Sequence, residues 1–254
     1  MKIALITGAS SGMGREFARQ IAENYTFLDE IWLIARRQEE LEKTARQIAV
    51  SFRILPLNLL KEEDCQYLKN LLKFEKPFIK VLVNAAGFGK IGKTGDMKQQ
   101  DVTGMIQLNA IALTRVTHMC LPYCGNKSRV IQLGSASAVI PQPNFAIYAA
   151  SKSYVLSFSR ALAREEKKRG ITVTCVCPGP VKTEFYRQTG SSVSQISLLK
   201  RLTMASPDKV VRQAVRDAAS GKELSIYGWP MKLVFVLCKL LPHKWILFLM
   251  GLFL

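Results

Sequence analysis

Thr7-Gly8-Ala9-Ser10-Ser11-Gly12-Met13-Gly14 decides how this chain is read. The apolar run Ile3-Ala4-Leu5-Ile6 precedes it and an amphipathic segment, 12–23, follows it. Its glycines therefore fall at a strand–turn–helix junction. Glycine is needed where a backbone turns sharply and must approach a ligand closely. A helix that opens at such a turn offers free N–H donors and the positive end of its dipole, which suit a pyrophosphate. The spacing is GxxxGxG rather than GxGxxG, so the junction carries more weight than the glycines alone.

Outward from this turn the pattern repeats. Short runs rich in Ile, Val and Leu at 2–7, 30–35, 52–57, 80–84, 129–134 and 172–176 predict strands buried on both faces. Amphipathic segments at 12–23, 39–50, 62–74, 101–120 and 148–169 predict the helices between them. In 39–50, Leu41, Ala45, Ile48 and Ala49 form one stripe, with Glu39, Glu42, Lys43 and Arg46 outside it. Strands alternating with helices specify an α/β fold with a parallel, doubly wound sheet.

The later chain changes character. Residues 180–205 are polar and Ser-rich and follow a strand end, where a lid over a substrate is expected. Ser206-Pro207-Asp208 reads as a helix start, with Gly221 as the stop, and 223–227 as a last edge strand. Residues 1–230 are thus expected to form one domain. The apolar tail 231–254 is expected to be helical, and Lys239, Pro242, His243 and Lys244 interrupt it below the length needed to span a bilayer. Peripheral membrane anchor, wall of the substrate pocket and subunit interface all remain open for it.

Bulk numbers exclude several classes. Of 254 residues, 48% are apolar, too many for a disordered chain. The six cysteines form no CxxC pair and read as buried thiols, and two histidines outside ligand spacing give no reason to expect a metal. The chain starts almost directly on a strand, with no secretory pattern before it, so a cytoplasmic setting is expected, with peripheral membrane contact through the tail as an option. The net charge of +17 is spread along the chain without a nucleic-acid-binding motif. No nucleic acid partner is expected. Nucleotide phosphates and an anionic membrane surface are the other candidates for that charge.

Three further features carry chemistry. Ile34-Ala35-Arg36-Arg37 ends the second strand with two arginines. A fold that prefers NAD usually has an acid there for the ribose 2′-hydroxyl, whereas a guanidinium suits a 2′-phosphate. NADP(H) is therefore the expected cofactor. Tyr148 and Lys152 stand four apart on a predicted helix and share a face. Ser135 lies at the carboxyl end of a predicted buried strand, where open parallel sheets bind ligands.

Taken in order, TGxxxGxG, Asn84-Ala85-Ala86-Gly87, Asn109, Ser135, Tyr148, Lys152 and Pro178-Gly179 resemble the short-chain dehydrogenase/reductase family over about residues 2–228. The resemblance implies a Rossmann-like sheet of about seven strands and hydride transfer with a nicotinamide cofactor. It implies that Tyr148 exchanges the proton with the substrate oxygen, that Ser135 orients that oxygen, and that Lys152 holds the ribose and acidifies the phenol. It also implies that Asn109 supports a water-mediated proton relay. For the cofactor it points to Gly8, Ser10, Ser11, Gly12, Met13 and Gly14 at the pyrophosphate turn, with Arg36 and Arg37 at the 2′-phosphate. Asn58 falls where an aspartate often faces the adenine, and Asn84 near the adenosine. Ala85 replaces the second asparagine of the usual NNAG, with Gly87 closing that motif. Pro178, Gly179, Val181 and Thr183 fall along the nicotinamide carboxamide.

The implied reaction interconverts a ketone and a secondary alcohol. The lid mixes Phe185, Tyr186, Ile196, Leu198 and Leu199 with Lys182, Arg187, Lys200 and Arg201. Such a lid suits a small hydrophobic carbonyl or alcohol with an anionic end, steroid-like, bile-acid-like or fatty acyl. A homodimer or homotetramer is expected. The competing reading is a non-catalytic, nucleotide-binding, membrane-associated regulatory protein, and the complete Ser, Tyr and Lys set favours the enzyme.

Overall fold

The computed structural model describes residues 1–185 and 204–251. Among them, seven strands form one parallel sheet: β1 (Lys2–Thr7), β2 (Glu30–Ile34), β3 (Phe52–Leu55), β4 (Phe78–Asn84), β5 (Arg129–Leu133), β6 (Thr172–Val176) and β7 (Leu224–Ser225). Their spatial order is β3-β2-β1-β4-β5-β6-β7. The chain moves outward from β1 to β3 and then returns to build β4 on the other side of β1. That reversal opens a crevice beyond the carboxyl ends of β1 and β4, the place where such sheets take ligands.

Helices cover both faces. They are α1 (Gly12–Asn24), α2 (Gln38–Ala45), α3 (Glu62–Glu75), α4 (Gln99–Ile106), α5 (Leu113–Cys120), α6 (Ala146–Glu165), α7 (Pro207–Ala219), α8 (Trp229–Leu240) and α9 (His243–Gly251). Alternation along each strand divides the core in two. Ala4 and Ile6 of β1 join Phe17 of α1 and Val211 of α7, whereas Ile3 and Leu5 join Leu68 of α3 and Val116 of α5. Since both faces are covered, the strands read as unbroken apolar runs.

Some boundaries differ from the predicted ones. Helix α2 ends at Ala45, five residues before the predicted end. There Gln47 and Ile48 donate to the carbonyls of Thr44 and Ala45, which tightens the chain into a turn before β3. The predicted helix 101–120 is a continuous helical run in three parts, with a π-helical turn (Gln107–Ala112) between α4 and α5. The edge strand predicted at 223–227 is reduced to Leu224–Ser225. The tail is helical, and it breaks at Leu241-Pro242 because proline cannot continue the ladder of α8.

The ends of the 180–205 segment are joined by a bridge between Val181 and Ala205, with Lys182 N donating to Ala205 O at 3.0 Å. Residues 186–203, including Tyr186, Arg187, Ile196, Leu198, Leu199, Lys200 and Arg201, lie outside the described residues.

Candidate active site

The glycine turn leads directly into α1. Gly8 sits at φ +68, in the left-handed region. A Cβ on Gly14 would stand 2.1 Å from the carbonyl oxygen of Gly8, so only glycine lets the first helical turn lie against the strand end. Ser11 precedes the helix in an extended conformation without a side-chain cap. Gly12 N instead donates to Glu184 Oε2 at 3.1 Å, and Arg15 Nη1 lies 3.7 Å from Glu184 Oε1. A carboxylate from a distant segment thus occupies part of the positive end of α1, where the helix dipole favours an anion.

Around the turn lies a cleft of about 470 Å³. Gly8, Ser10, Ser11, Gly12, Met13 and Gly14 form one end of it. Arg36 and Arg37 stand exposed on the rim at the end of β2, with Arg37 Nη2 3.4 Å from Ser10 Oγ. Asn58 also lines it, though its Oδ1 already accepts from Leu60 N at 3.2 Å. Ala85 and Gly87 come from the loop after β4. That loop is held by Thr7, whose hydroxyl accepts from Ala85 N and Ala86 N at 3.1 and 3.2 Å. Pro178, Gly179, Val181 and Thr183 close the far side.

Ser135, Tyr148 and Lys152 meet in the same cleft. Ser135 follows β5 by two residues, and its Oγ accepts from Ser137 N at 3.1 Å. Tyr148 is the third residue of α6, and its ring stacks on Phe145 at 4.3 Å and leans on Phe185 at 5.6 Å. One turn on, Lys152 is 4% exposed, and its Nζ lies 5.7 Å from the Tyr148 ring centre. That ammonium donates to Leu133 O at 2.7 Å. Burial pushes its pKa down to about 8, against the opposing pull of the Cys175 and Cys177 thiols. At neutral pH it is still mostly charged, in surroundings where a charge is felt strongly.

Two of the expected residues do not line the cleft. Asn84 turns inward, away from the cleft, and its Nδ2 donates to Thr117 Oγ1 at 3.0 Å. Asn109 is wholly buried in the π-helical turn. Its Oδ1 accepts from Phe88 N at 3.0 Å, while its Nδ2 donates to Phe88 O at 2.9 Å and to Ser151 Oγ at 3.0 Å. The amide thereby braces the loop after β4 against α6.

Gln142, Phe145, Phe185 and Met231 also line the cleft. Of these, Phe145 precedes the predicted helix 148–169 and carried no signal of its own. Phe185 was read only as part of the lid. Gln142 and Met231 come from a loop and from the tail, and no local spacing marks them.

A dinucleotide-type crevice and a hydroxyl–phenol–ammonium set on one doubly wound sheet define a class of oxidoreductase folds. The chain belongs to the short-chain dehydrogenase family, whose model matches residues 2–193. It is 35% identical over 192 residues to an 11-beta-hydroxysteroid dehydrogenase-like 3 of Arabidopsis thaliana, covering 72% of this chain and 60% of that one. It is 32% identical over 219 residues to a sulfoacetaldehyde reductase 2 of Chromohalobacter salexigens, covering 82% and 84% respectively. Among solved structures, a short-chain dehydrogenase from Sphingobium yanoikuyae in complex with NADPH superposes with a TM-score of 0.79 at 26% identity, over 90% of this chain and 89% of that one.

Proposed function

We propose that this protein is an NADP(H)-dependent oxidoreductase that interconverts a ketone and a secondary alcohol on a small hydrophobic substrate. The observation that carries the proposal is the convergence of Ser135, Tyr148 and Lys152 on the cleft that begins at the glycine turn. The residues fit the cofactor: the turn already draws a carboxylate to Gly12 N, and bulk at Gly14 would close it. Gly8–Gly14 would hold the pyrophosphate, Lys152 the ribose beside the nicotinamide, and Val181 and Thr183 the carboxamide. Arg36 and Arg37 would face the 2′-phosphate, at the strand end where a fold preferring NAD usually carries an acid. The NADPH held by the Sphingobium relative supports the same choice. When bound, the reduced cofactor supplies hydride to the carbonyl carbon.

The chain's own groups handle the oxygen. As charge grows there, Ser135 Oγ–H donates a hydrogen bond to it and Tyr148 delivers its phenolic proton. A free phenol, with pKa about 10, gives up a proton reluctantly at neutral pH. The Lys152 ammonium and the amino-terminal turn of α6 both favour the phenolate, which lowers the barrier to transfer. Phe145, Phe185 and Met231 give the cleft apolar walls, which supports a hydrophobic substrate of steroid, bile-acid or fatty acyl type. The hydroxysteroid dehydrogenase-like relative is in keeping with that class.

Tyr148→Phe tests the proposal. Turnover of a ketone panel with NADPH should fall at least about 100-fold, while NADPH affinity, read by fluorescence titration, stays within about threefold. Retention of a third of the turnover would defeat the assignment. NADPH binding by the unaltered protein with no turnover of any ketone or alcohol would favour a regulatory nucleotide-binding role instead.

A further inference from the structure

Helix α8 is apolar on two opposite sides. Inward, Met231, Val234, Phe235 and Cys238 follow the i, i+3, i+4, i+7 spacing of one face, and Phe235 packs in a core cluster with Cys175 and Ile226. Outward, Trp229, Leu233, Val236, Leu237 and Leu240 repeat that spacing, at 75%, 49%, 54%, 43% and 73% exposure. Helix α9 continues the pattern, with Ile246 buried and Trp245 and Phe248 at 59% and 67% exposure. Single exposed apolar residues are ordinary, but five on one side of one helix, with more on the next, mark a contact surface.

The charges around the stripe identify its occupant. At about 100° per residue, Lys232 and Lys239 fall together on one flank of the outward stripe, and Lys244 stands exposed at the start of α9. No Asp or Glu occurs between Gly228 and Leu254, in a chain that holds 19 of them. A second copy of the chain would bring these lysines together without an acid in the segment to pair them. Anionic headgroups pair with lysines and leave an acyl boundary beneath for the apolar stripe, with tryptophans at the level between. The net charge of +17 adds long-range attraction to the same surface. Among the described residues no helix is long and apolar enough to cross a membrane, so the helices would lie along one leaflet.

We infer that α8 and α9 dock this protein flat on an anionic phospholipid surface. Met231, on the inner side of α8, lines the cleft. Leu247 of α9 lines a second, apolar cavity whose Ile140 and Gln142 also line the cleft. The docked face therefore adjoins the cleft.

The test is flotation of the full chain with vesicles of phosphatidylcholine containing one third phosphatidylglycerol, against phosphatidylcholine alone. Strong flotation with the anionic vesicles is expected, at least tenfold weaker with neutral ones and weakened by raising salt from about 100 to about 500 mM. Trp245→Glu combined with Phe248→Glu should abolish it with the fold retained by circular dichroism. Lys232→Gln combined with Lys239→Gln changes only exposed charge and should weaken it at least tenfold, so the question remains decidable if the first variant misfolds. Failure of the unaltered protein to float, or flotation indifferent to the lysine pair, overturns the inference. It is equally overturned if light scattering shows a lipid-free dimer, with no flotation, that the Trp245/Phe248 variant splits into monomers.

Discussion

Replacing Lys152 with methionine should make this protein more stable while abolishing its turnover. The ammonium is 4% exposed, and burial lowers its pKa from 10.5 to about 8. At 1.36 kcal/mol per pKa unit, that corresponds to about 3 kcal/mol held against the folded state at neutral pH. Below pH 8 the lysine is charged in both folded and unfolded chains and the full cost applies. Between about 8 and 10.5 the unfolded chain binds the extra proton, so stability rises with pH through that window and the cost disappears above it. Methionine matches the length of the side chain but gives up the charge-assisted hydrogen bond to Leu133 O, worth about 1.5 kcal/mol. The net gain at pH 7 is about 1.5 kcal/mol, or roughly 4 °C for a chain of this size. Thermal unfolding of Lys152→Met and its parent, compared at pH 7 and about 9.5, should show that advantage shrinking to nearly nothing. A variant less stable than its parent at pH 7, or an advantage that does not change with pH, would refute the reasoning. A buried charge retained at this cost fits a group kept for chemistry rather than for folding.

Other substitutions probe the rest of the cleft. Arg36→Ala with Arg37→Ala should lower kcat/KM with NADPH about 100-fold and leave that with NADH within about threefold. Steady-state rates with both cofactors decide it, and an unchanged ratio would mean the arginines only cap β2. Gly14→Ala pushes a methyl group to 2.1 Å from Gly8 O, and loss of at least about 3 kcal/mol or of soluble protein is expected on expression and unfolding. Glu184→Gln removes the carboxylate that competes for the amino terminus of α1, so NADPH should bind roughly fivefold more tightly in a fluorescence titration, equivalent to about 1 kcal/mol. Weaker binding would show that Glu184 supports the cofactor rather than excluding it.

The sheet was legible because parallel strands covered on both faces leave continuous apolar runs in the sequence, and β1 was read at its observed bounds. The glycine turn was legible because its constraints are local: Gly8 and Gly14 answer to each other six residues apart. Legibility failed where a side chain takes its direction from a remote partner. An asparagine at the end of β4 signals only a polar strand terminus. What turns Asn84 inward is Thr117, on a helix 33 residues later. The π-helical turn was invisible for the same reason, since the partners of Asn109 are Phe88 and Ser151, 21 and 42 residues away. A one-dimensional period records a helix but not the widened turn that tertiary hydrogen bonds impose on it.

The tail gives the sharpest case. Hydropathy along 231–254 is high almost everywhere, so the sequence offered pocket wall, subunit interface and membrane anchor as rivals. The structure removes part of that rivalry by separating the faces of one helix. Met231 reaches the cleft and Phe235 the core, and with them the inner side of α8 accounts for the pocket-wall reading. The outer side, from Trp229 to Leu240, touches neither and needs a separate explanation. Mutations on the two sides should therefore separate. Met231→Ala should alter ketone selectivity, measured as a changed ratio of kcat/KM between small and bulky ketones, with vesicle flotation intact. Leu233→Ser should do the reverse. If Met231→Ala and Leu233→Ser move both readouts together, the two faces of α8 act as one surface and the division argued here is wrong.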